Sequence, residues 1–308
     1  MGIPALAQSV PYPTYTVGPQ PDGSYVVSDG TIITPAGTQV DLGIRVRAKA
    51  VAVNPKGNHT AAVLTLGTNP KNGNGAVEIF DTKTGTVLQS YNPAGNSDSS
   101  GSEVGLTYTH DGKYLLFSQD SSFVAIAKVN PTTGLLSDYA RVSVPIDGTP
   151  YTIAGQYFDT TVDTVKCFHN SPPGTDGSYA HSCGHTLGTN SAYPLGIAVA
   201  PNGKTAYVAL DVNDTLAKID LTGSTPTKVA EVRVGNVPDS VVISADGRTA
   251  YVSNKAGRIA KKDDFQEYSA GTPVVADSFT GSASSGTVSV VDLASFKVVK
   301  TIETGLHP

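Results

Sequence analysis

Both cysteines of the chain, Cys167 and Cys183, fall in one stretch that also holds three of its six histidines, His169, His181 and His185. The text is Cys167-Phe168-His169, a Pro/Gly/Ser-rich run, then His181-Ser182-Cys183-Gly184-His185. Thiolate and imidazole are the groups that hold zinc. Alternating positions on a strand share a face, so each half of the cluster has a spacing that could serve a metal. The spacing matches no common zinc finger, and there is no Cys-x-x-Cys-His for haem attachment. The same cysteines suit a disulfide. Two cysteines close in sequence in an exported chain favour pairing, and closing a loop of this length stabilises by about 3 kcal/mol in the chain-entropy picture. Two readings stand beside each other. One is a Cys167–Cys183 disulfide with no cofactor. The other is a zinc site drawn from Cys167, His169, His181, Cys183 and His185. Free thiols and solvated histidines form the bland third.

Other chemistry is sparse. There is no Gly-x-Ser-x-Gly elbow, no Walker loop and no dinucleotide fingerprint leading into a helix. Asn72-Gly73-Asn74-Gly75 reads as a turn between strands, and His59 and His110 flank turns as exposed polar residues. The stretch from Asn254 to Gly286 carries Arg258, Lys261, Lys262, Asp263, Asp264 and Glu267, a charge mix that suits a solvated loop or a binding rim.

The elements that must position these residues repeat. Ala50-Val51-Ala52-Val53-Asn54-Pro55-Lys56-Gly57, Gly105-Leu106-Thr107-Tyr108-Thr109-His110-Asp111-Gly112, Gly196-Ile197-Ala198-Val199-Ala200-Pro201-Asn202-Gly203 and Ser240-Val241-Val242-Ile243-Ser244-Ala245-Asp246-Gly247 share one pattern. Each is an extended run closed by a turn whose glycine reaches positive φ without strain. A second, third and fourth strand follow. The third ends in Asp81, Asp220 or Asp292 in three of the units, where a side-chain-to-backbone turn is the expected role, and Asn130-Pro131-Thr132-Thr133-Gly134 is the second turn of the other. In the last unit Ser295 and Phe296 stand where the others have a turn glycine. Four short antiparallel strands per ~40–45 residues predict an all-β fold, a β-propeller of four-stranded blades. The interval from Gly112 to Gly203 is long, which predicts an insertion at 147–192; a degenerate blade within it is the alternative. A second insertion spans 255–285.

The pattern resembles the YVTN family of β-propellers. Tyr251-Val252-Ser253-Asn254 is the nearest copy of its tetrapeptide, and Tyr207-Val208-Ala209-Leu210 is a looser one. It resembles more closely a bacterial group in which the propeller precedes a phosphoesterase domain of the alkaline phosphatase superfamily. The likeness rests on Thr34-Pro35-Ala36-Gly37-Thr38-Gln39-Val40, on Gly257-Arg258, on Gly271-Thr272-Pro273-Val274-Val275 and on Ala283–Leu293. It departs at Lys255-Ala256 and in the 147–192 insertion. The resemblance implies a ring of about seven blades, of which four to five are counted here, with residues 1–23 as a tail and 24–308 as a partial propeller. It implies that a catalytic domain would follow, so no catalytic residue is expected within this chain. It gives Asn254, Gly257 and Arg258 a structural or docking role against that domain.

Composition narrows the function. Asp and Glu outnumber Lys and Arg, 26 to 21, which argues against a nucleic-acid partner. No apolar run approaches the ~18–20 residues of a membrane helix. Ala5-Leu6-Ala7 has the small-x-small form of a signal-peptidase site but lacks the basic and apolar regions before it; one reading is a signal-peptide remnant, which predicts a periplasmic or secreted protein, and the other is a chance Ala-x-Ala. Gly305-Leu306-His307-Pro308 reads as the opening of a fifth unit. The leading expectation is a non-catalytic docking scaffold. A propeller hydrolase or lactonase with a central-channel site is the alternative, although the inner strands are dominated by Ala, Val, Ile and Leu.

Overall fold

The computed structural model of the chain describes residues 16–27, 29–40, 42, 47–66, 68, 69, 73, 74, 77–92, 104–119, 123–144, 157, 158, 168, 169, 192–261, 263–269, 272–306 and 308. The chain divides into two compact units, Met1–Asp41 and Leu42–Pro308. In the first, the strands Gly18–Pro19, Tyr25–Val26 and Ile32–Ile33 pair antiparallel in that order. Asp22 and Asp29 shape its turns by accepting the amides of Ser24 and Thr31.

The second unit holds four antiparallel sheets, each of four strands in sequence order. Blade 1 is Arg47–Val53, Thr60–Leu66, Val77–Asp81 and Val87–Tyr91. Blade 2 is Leu106–Tyr108, Tyr114–Gln119, Phe123–Val129 and Leu136–Ser143. Blade 3 is Pro194–Val199, Thr205–Leu210, Thr215–Asp220 and Thr227–Arg233. Blade 4 is Asn236–Ile243, Thr249–Gly257, Gly286–Asp292 and Lys297–Thr304. No helix occurs among the described residues. This is the β-propeller architecture that the repeat predicts.

Local chemistry explains the strand ends. Gly57, Gly112, Gly203 and Gly247 all take φ between +65° and +71°. Beside them Asn54, Asp111, Asn202 and Asp246 accept the amides of Lys56, Lys113, Lys204 and Arg248, which fixes the turn. The second turn uses the same device, with Asp81, Asn130, Asp220 and Asp292 accepting amides two or three residues on. Phe296 stands at φ +52°, the left-handed region that Gly85 and Gly134 occupy in the matching turns. Its ring lies 6.0 Å from that of Tyr207, a contact that offsets the strain.

Because side chains alternate along a strand, each blade has two apolar faces. Leu115 and Phe117 turn toward blade 1, where they meet Leu64, Val77 and Ile79. Leu116, Val124 and Ile126 turn the other way onto Ile197, Val199, Val208 and Ile219 of blade 3. Tyr207 and Leu216 of blade 3 pack on Val241, Ala250, Val252 and Val291 of blade 4. Three cores thus join blades 1–2, 2–3 and 3–4; among the described residues none joins blade 4 to blade 1. Blade 2 packs directly on blade 3, and of the stretch 147–192 assigned as an insertion only 157, 158, 168, 169 and 192 are among the described residues. The innermost strands crowd together, and this crowding selects glycine. A Cβ on Gly105 would lie 2.1 Å from the Leu195 carbonyl oxygen, and one on Gly196 would lie 2.7 Å from the Ser240 Cα.

Strands of a blade alternate in direction, which sorts its connections onto two rims. Tight turns joining first to second and third to fourth strands lie on one rim. Second-to-third and blade-to-blade connections lie on the other. The four longest connections, 67–76, 92–105, 144–193 and 258–285, all belong to that second rim. The 258–285 insertion therefore sits on it, and the strands flanking 144–193 end there.

Candidate functional site

Above blades 3 and 4 the long-connection rim is tied together by a polar network. Its centre is Asp214, which ends the short turn between the second and third strands of blade 3 and takes φ +54°. Its carboxylate is buried. One oxygen accepts the Val237 amide at 3.0 Å. The other accepts the Thr272 hydroxyl at 2.6 Å and pairs with the Arg233 guanidinium at 2.9 Å. Arg233 also donates to the Asp214 carbonyl at 2.9 Å and to Asn236 Oδ1 at 2.6 Å. Asn236 passes the network on, donating to the Arg258 carbonyl at 3.0 Å and the Pro273 carbonyl at 3.3 Å. One carboxylate thus fastens the blade 3 turn, the start of blade 4 and the 258–285 insertion. Val237 sits at φ +55° just before Pro238, an uncommon conformation for a β-branched residue, and its amide bond to Asp214 helps hold it there.

The insertion has a base and a tip. At the base, Asn254 is wholly buried, with its amide nitrogen 3.2 Å from the Val252 and Thr287 carbonyls and 3.1 Å from the Thr287 and Ser289 hydroxyls, acceptors among which its two protons are shared. Gly257 has φ +62°, and a Cβ there would meet the Ser285 carbonyl carbon at 2.7 Å. Arg258 grips Asp264 with two hydrogen bonds of 2.6 and 2.8 Å, and the Lys261 amide adds a third at 2.6 Å. The Arg258 guanidinium is the main reason the Asp264 carboxyl is held well below the ordinary carboxylate range. Two of the three proposed docking residues are therefore buried in the sheet, and the third is engaged within the insertion.

Further along, Gln266–Ser269 pairs with Thr272–Val275, the strand whose Thr272 and Pro273 meet Asp214 and Asn236. The Ala276 amide donates to the Phe265 carbonyl at 2.9 Å, and Ala276 bridges to Ala283. Between them a turn is shaped by Asp277, whose carboxylate accepts the amides of Phe279 and Thr280 at 3.0 and 2.8 Å. Phe279 projects from it 96% exposed, and Phe265 is also exposed.

Cys167, His181, Cys183 and His185 lie outside the described residues. Phe168–His169 forms a short ladder with Tyr157–Phe158 and lies beside Thr272–Val275, so the two insertions approach each other on the rim. Among the described residues no group of three His, Cys, Asp or Glu side chains comes together to hold a metal ion. Gly73–Asn74 pairs with Thr68–Asn69 as a hairpin. On the outer side of blade 2, Tyr91, Ala125, Ile126, Asp138, Tyr139, Ala140 and Arg141 line a groove of about 240 Å³. There the Tyr91 hydroxyl donates to Asp138, and burial pushes that phenol well above its ordinary range. Sequence reading missed Asp214, Arg233, Asn236 and Thr272. They are ordinary polar residues spread over 58 positions, and no local spacing marks them. The one available signal was Asn213-Asp214 in a short turn, where these types adopt left-handed φ.

No known family description matches the chain, and no curated protein matches it. Solved structures do match. Kuenenia stuttgartiensis hydrazine synthase aligns over 88% of this chain and 53% of its own, with 18% identity and TM-score 0.49. The β-propeller domain of Cps50 (Swd1) from Myceliophteria thermophila aligns over 88% and 58%, with 12% identity and TM-score 0.49. A protein from Lactobacillus plantarum aligns over 92% and 65%, with 15% identity and TM-score 0.49. The chain spans 53–65% of the length of these three. The strands and interblade cores themselves define the class: Leu42–Pro308 is built of β-propeller blades.

Proposed function

We propose that this chain is the N-terminal part of a longer, exported protein, in which its propeller serves as a non-catalytic docking scaffold for a phosphoesterase domain. The observation that carries the reading is the asymmetry of the two rims. Among the described residues one holds tight turns alone, whereas the other carries the long 258–285 insertion and fastens it through the buried Asp214–Arg233 pair. Loops held on a rigid frame suit recognition. The phosphoesterase and the YVTN assignment rest on the sequence resemblance; export rests on Ala5-Leu6-Ala7. The test is to extend the reading frame past Pro308, express the longer protein and assay hydrolysis of a phosphate ester. A stop codon directly after Pro308 defeats the reading.

Within the same proposal, Cys167 and Cys183 form a disulfide suited to an oxidising compartment. Thiol titration of the unfolded, unreduced protein then finds no free thiol. Two free thiols with one equivalent of zinc would favour the metal reading instead.

A further inference from the structure

On the side of blade 3 that meets blade 2, three side chains converge with the chemistry of an acyl transfer. Glu231 lies at their centre, its side chain 7% exposed. The Lys228 ammonium pairs with its Oε1. Its Oε2 accepts the Asn213 carboxamide nitrogen at 3.2 Å and the Thr215 hydroxyl at 2.9 Å. Asn213 and Thr215 are buried, and the Lys228 side chain is 18% exposed. An amine and a carboxamide thus touch the two oxygens of one carboxylate.

A bulge makes this meeting possible. Residues three apart on a regular strand point to opposite faces. Here Lys228 stands opposite Ile219, Ala230 opposite Lys218 and Glu231 opposite Ala217, so Val229 is the extra residue. It turns Lys228 and Glu231 to the same side, that of Ile219 and Ala217, which belong to the core between blades 2 and 3. Asn213 enters from the turn that precedes the third strand. A register shift recurs at the matching place in all four blades, but the trio does not. Val87 with Ser90 in blade 1, Asp138 with Arg141 in blade 2 and Val298 with Thr301 in blade 4 hold the positions of Lys228 and Glu231. The repeat alone therefore does not call for an amine beside an acid here.

We infer that Lys228 and Asn213 are the partners of an intramolecular isopeptide bond, with Glu231 as the general base and acid that forms it. Lys228 Nζ attacks Asn213 Cγ; the Nζ–Cγ bond forms and the Cγ–Nδ2 bond breaks. The new amide keeps one Nζ hydrogen, and the others pass through the Glu231 carboxylate to Nδ2, which departs as ammonium. Oε1 faces the nitrogen that gives up protons and Oε2 the nitrogen that receives them. Atoms and charge balance without an oxidant, a reductant or a second substrate, and holding both reactants on one carboxylate supplies the proximity. The bond ties the turn that carries Asp214 to the fourth strand of blade 3. Because Asp214 in turn holds Val237 and Thr272, this is a covalent anchor at the root of the network that fastens the 258–285 insertion.

The test is the intact mass of the purified, reduced 308-residue chain. Most molecules should be lighter than the sequence requires by one ammonia. Trypsin should then release 205–218 joined to 219–233, because an acylated Lys228 is no longer a cleavage site. Lys228→Arg and Glu231→Gln should each restore the full mass, and Asn213→Asp should change the loss from ammonia to water. A parent chain at its full sequence mass overturns the inference. So does a loss that persists in Lys228→Arg, which would mark a cyclised asparagine such as Asn202 before Gly203. The parent's own mass and its joined peptides decide the outcome even where a variant fails to fold.

Discussion

Tyr207 and Tyr251 occupy the same place in successive repeats, each opening the buried part of a second strand and facing the following side of its blade. Tyr207 is 4% exposed and Tyr251 is 40% exposed. The difference lies in what stands next to them. Blade 4 covers Tyr207 with Val241, Ala250 and Val252, whereas no described core covers Tyr251. The opposite side of the array behaves alike. Val51 of blade 1 is 66% exposed, and its repeat equivalent Ile197 in blade 3 is 8% exposed. A blade sequence thus specifies two sticky faces at once, and neighbours decide which become core. Apolar area turns into stability only where another blade removes it from water.

The sharpest way to break this comparison is to truncate both tyrosines. Tyr207→Ala should cost about 3 kcal/mol, because it opens a cavity in the blade 3–4 core and strips Phe296 of its ring partner. Tyr251→Ala should cost less than about 0.5 kcal/mol in the 308-residue chain, as surface substitutions do. Urea denaturation midpoints give both values. Equal losses at the two sites would mean that the outer face of blade 4 is covered after all.

A loss of about 3 kcal/mol is also expected for Arg233→Ala, which leaves the buried Asp214 carboxylate without its cation. Here the contrast is between rims. The tight-turn rim depends on Asp and Asn residues bonding their own backbone, and Asp246 is an exposed one, so Asp246→Ala should have a much smaller effect. Limited proteolysis checks the specific consequence: Arg233→Ala should expose 258–285 to cleavage while the turns of the opposite rim stay intact.

How much of this was legible depended on how local the cause is. The turns were readable because the residue that makes each bond lies two or three positions from its partner, as Asn54 does for Lys56. The strands were readable from their alternation, whereas the packing of blade 2 on blade 3 became visible only when Leu116 and Ile197 were found in one core. The replacement of the turn glycine by Phe296 was visible, but not its reason, a ring on the neighbouring blade. Thr272 and Asp214 meet only after blade 3 and the insertion are both in place, and neither residue type advertises that meeting.

Glycine offers a smaller, more geometric test. Gly196 and Ser240 open equivalent repeats, yet only Gly196 faces a following inner strand. Gly196→Ala pushes a methyl group to 2.7 Å from the Ser240 Cα and should cost about 1–3 kcal/mol through overpacking. Ser240→Ala, on the outer side of blade 4, should change stability by less than about 0.5 kcal/mol. A costly Ser240→Ala would point to an unseen contact on that face.

The least conspicuous test concerns Glu78 on blade 1. Its neighbours Val77 and Ile79 point to blade 2, so alternation turns Glu78 to the other face. It is buried, one carboxylate oxygen accepts the Ser90 hydroxyl, and the other has no partner. Burial raises its pKa, and the Ser90 bond only partly offsets this. The folded state then holds the proton to higher pH than the unfolded chain does. Stability from this group is present below the ordinary glutamate value and is lost as pH rises through the raised one. The turn aspartates, lowered by backbone amides, act in the opposite sense, so the total pH profile cannot isolate Glu78. Its difference from Glu78→Gln can. As pH rises from the ordinary glutamate value through the raised one, the variant should gain stability relative to the parent. Parallel profiles would mean that Glu78 titrates as it does in water, and that this face of blade 1 is as open at Glu78 as it is at Val51.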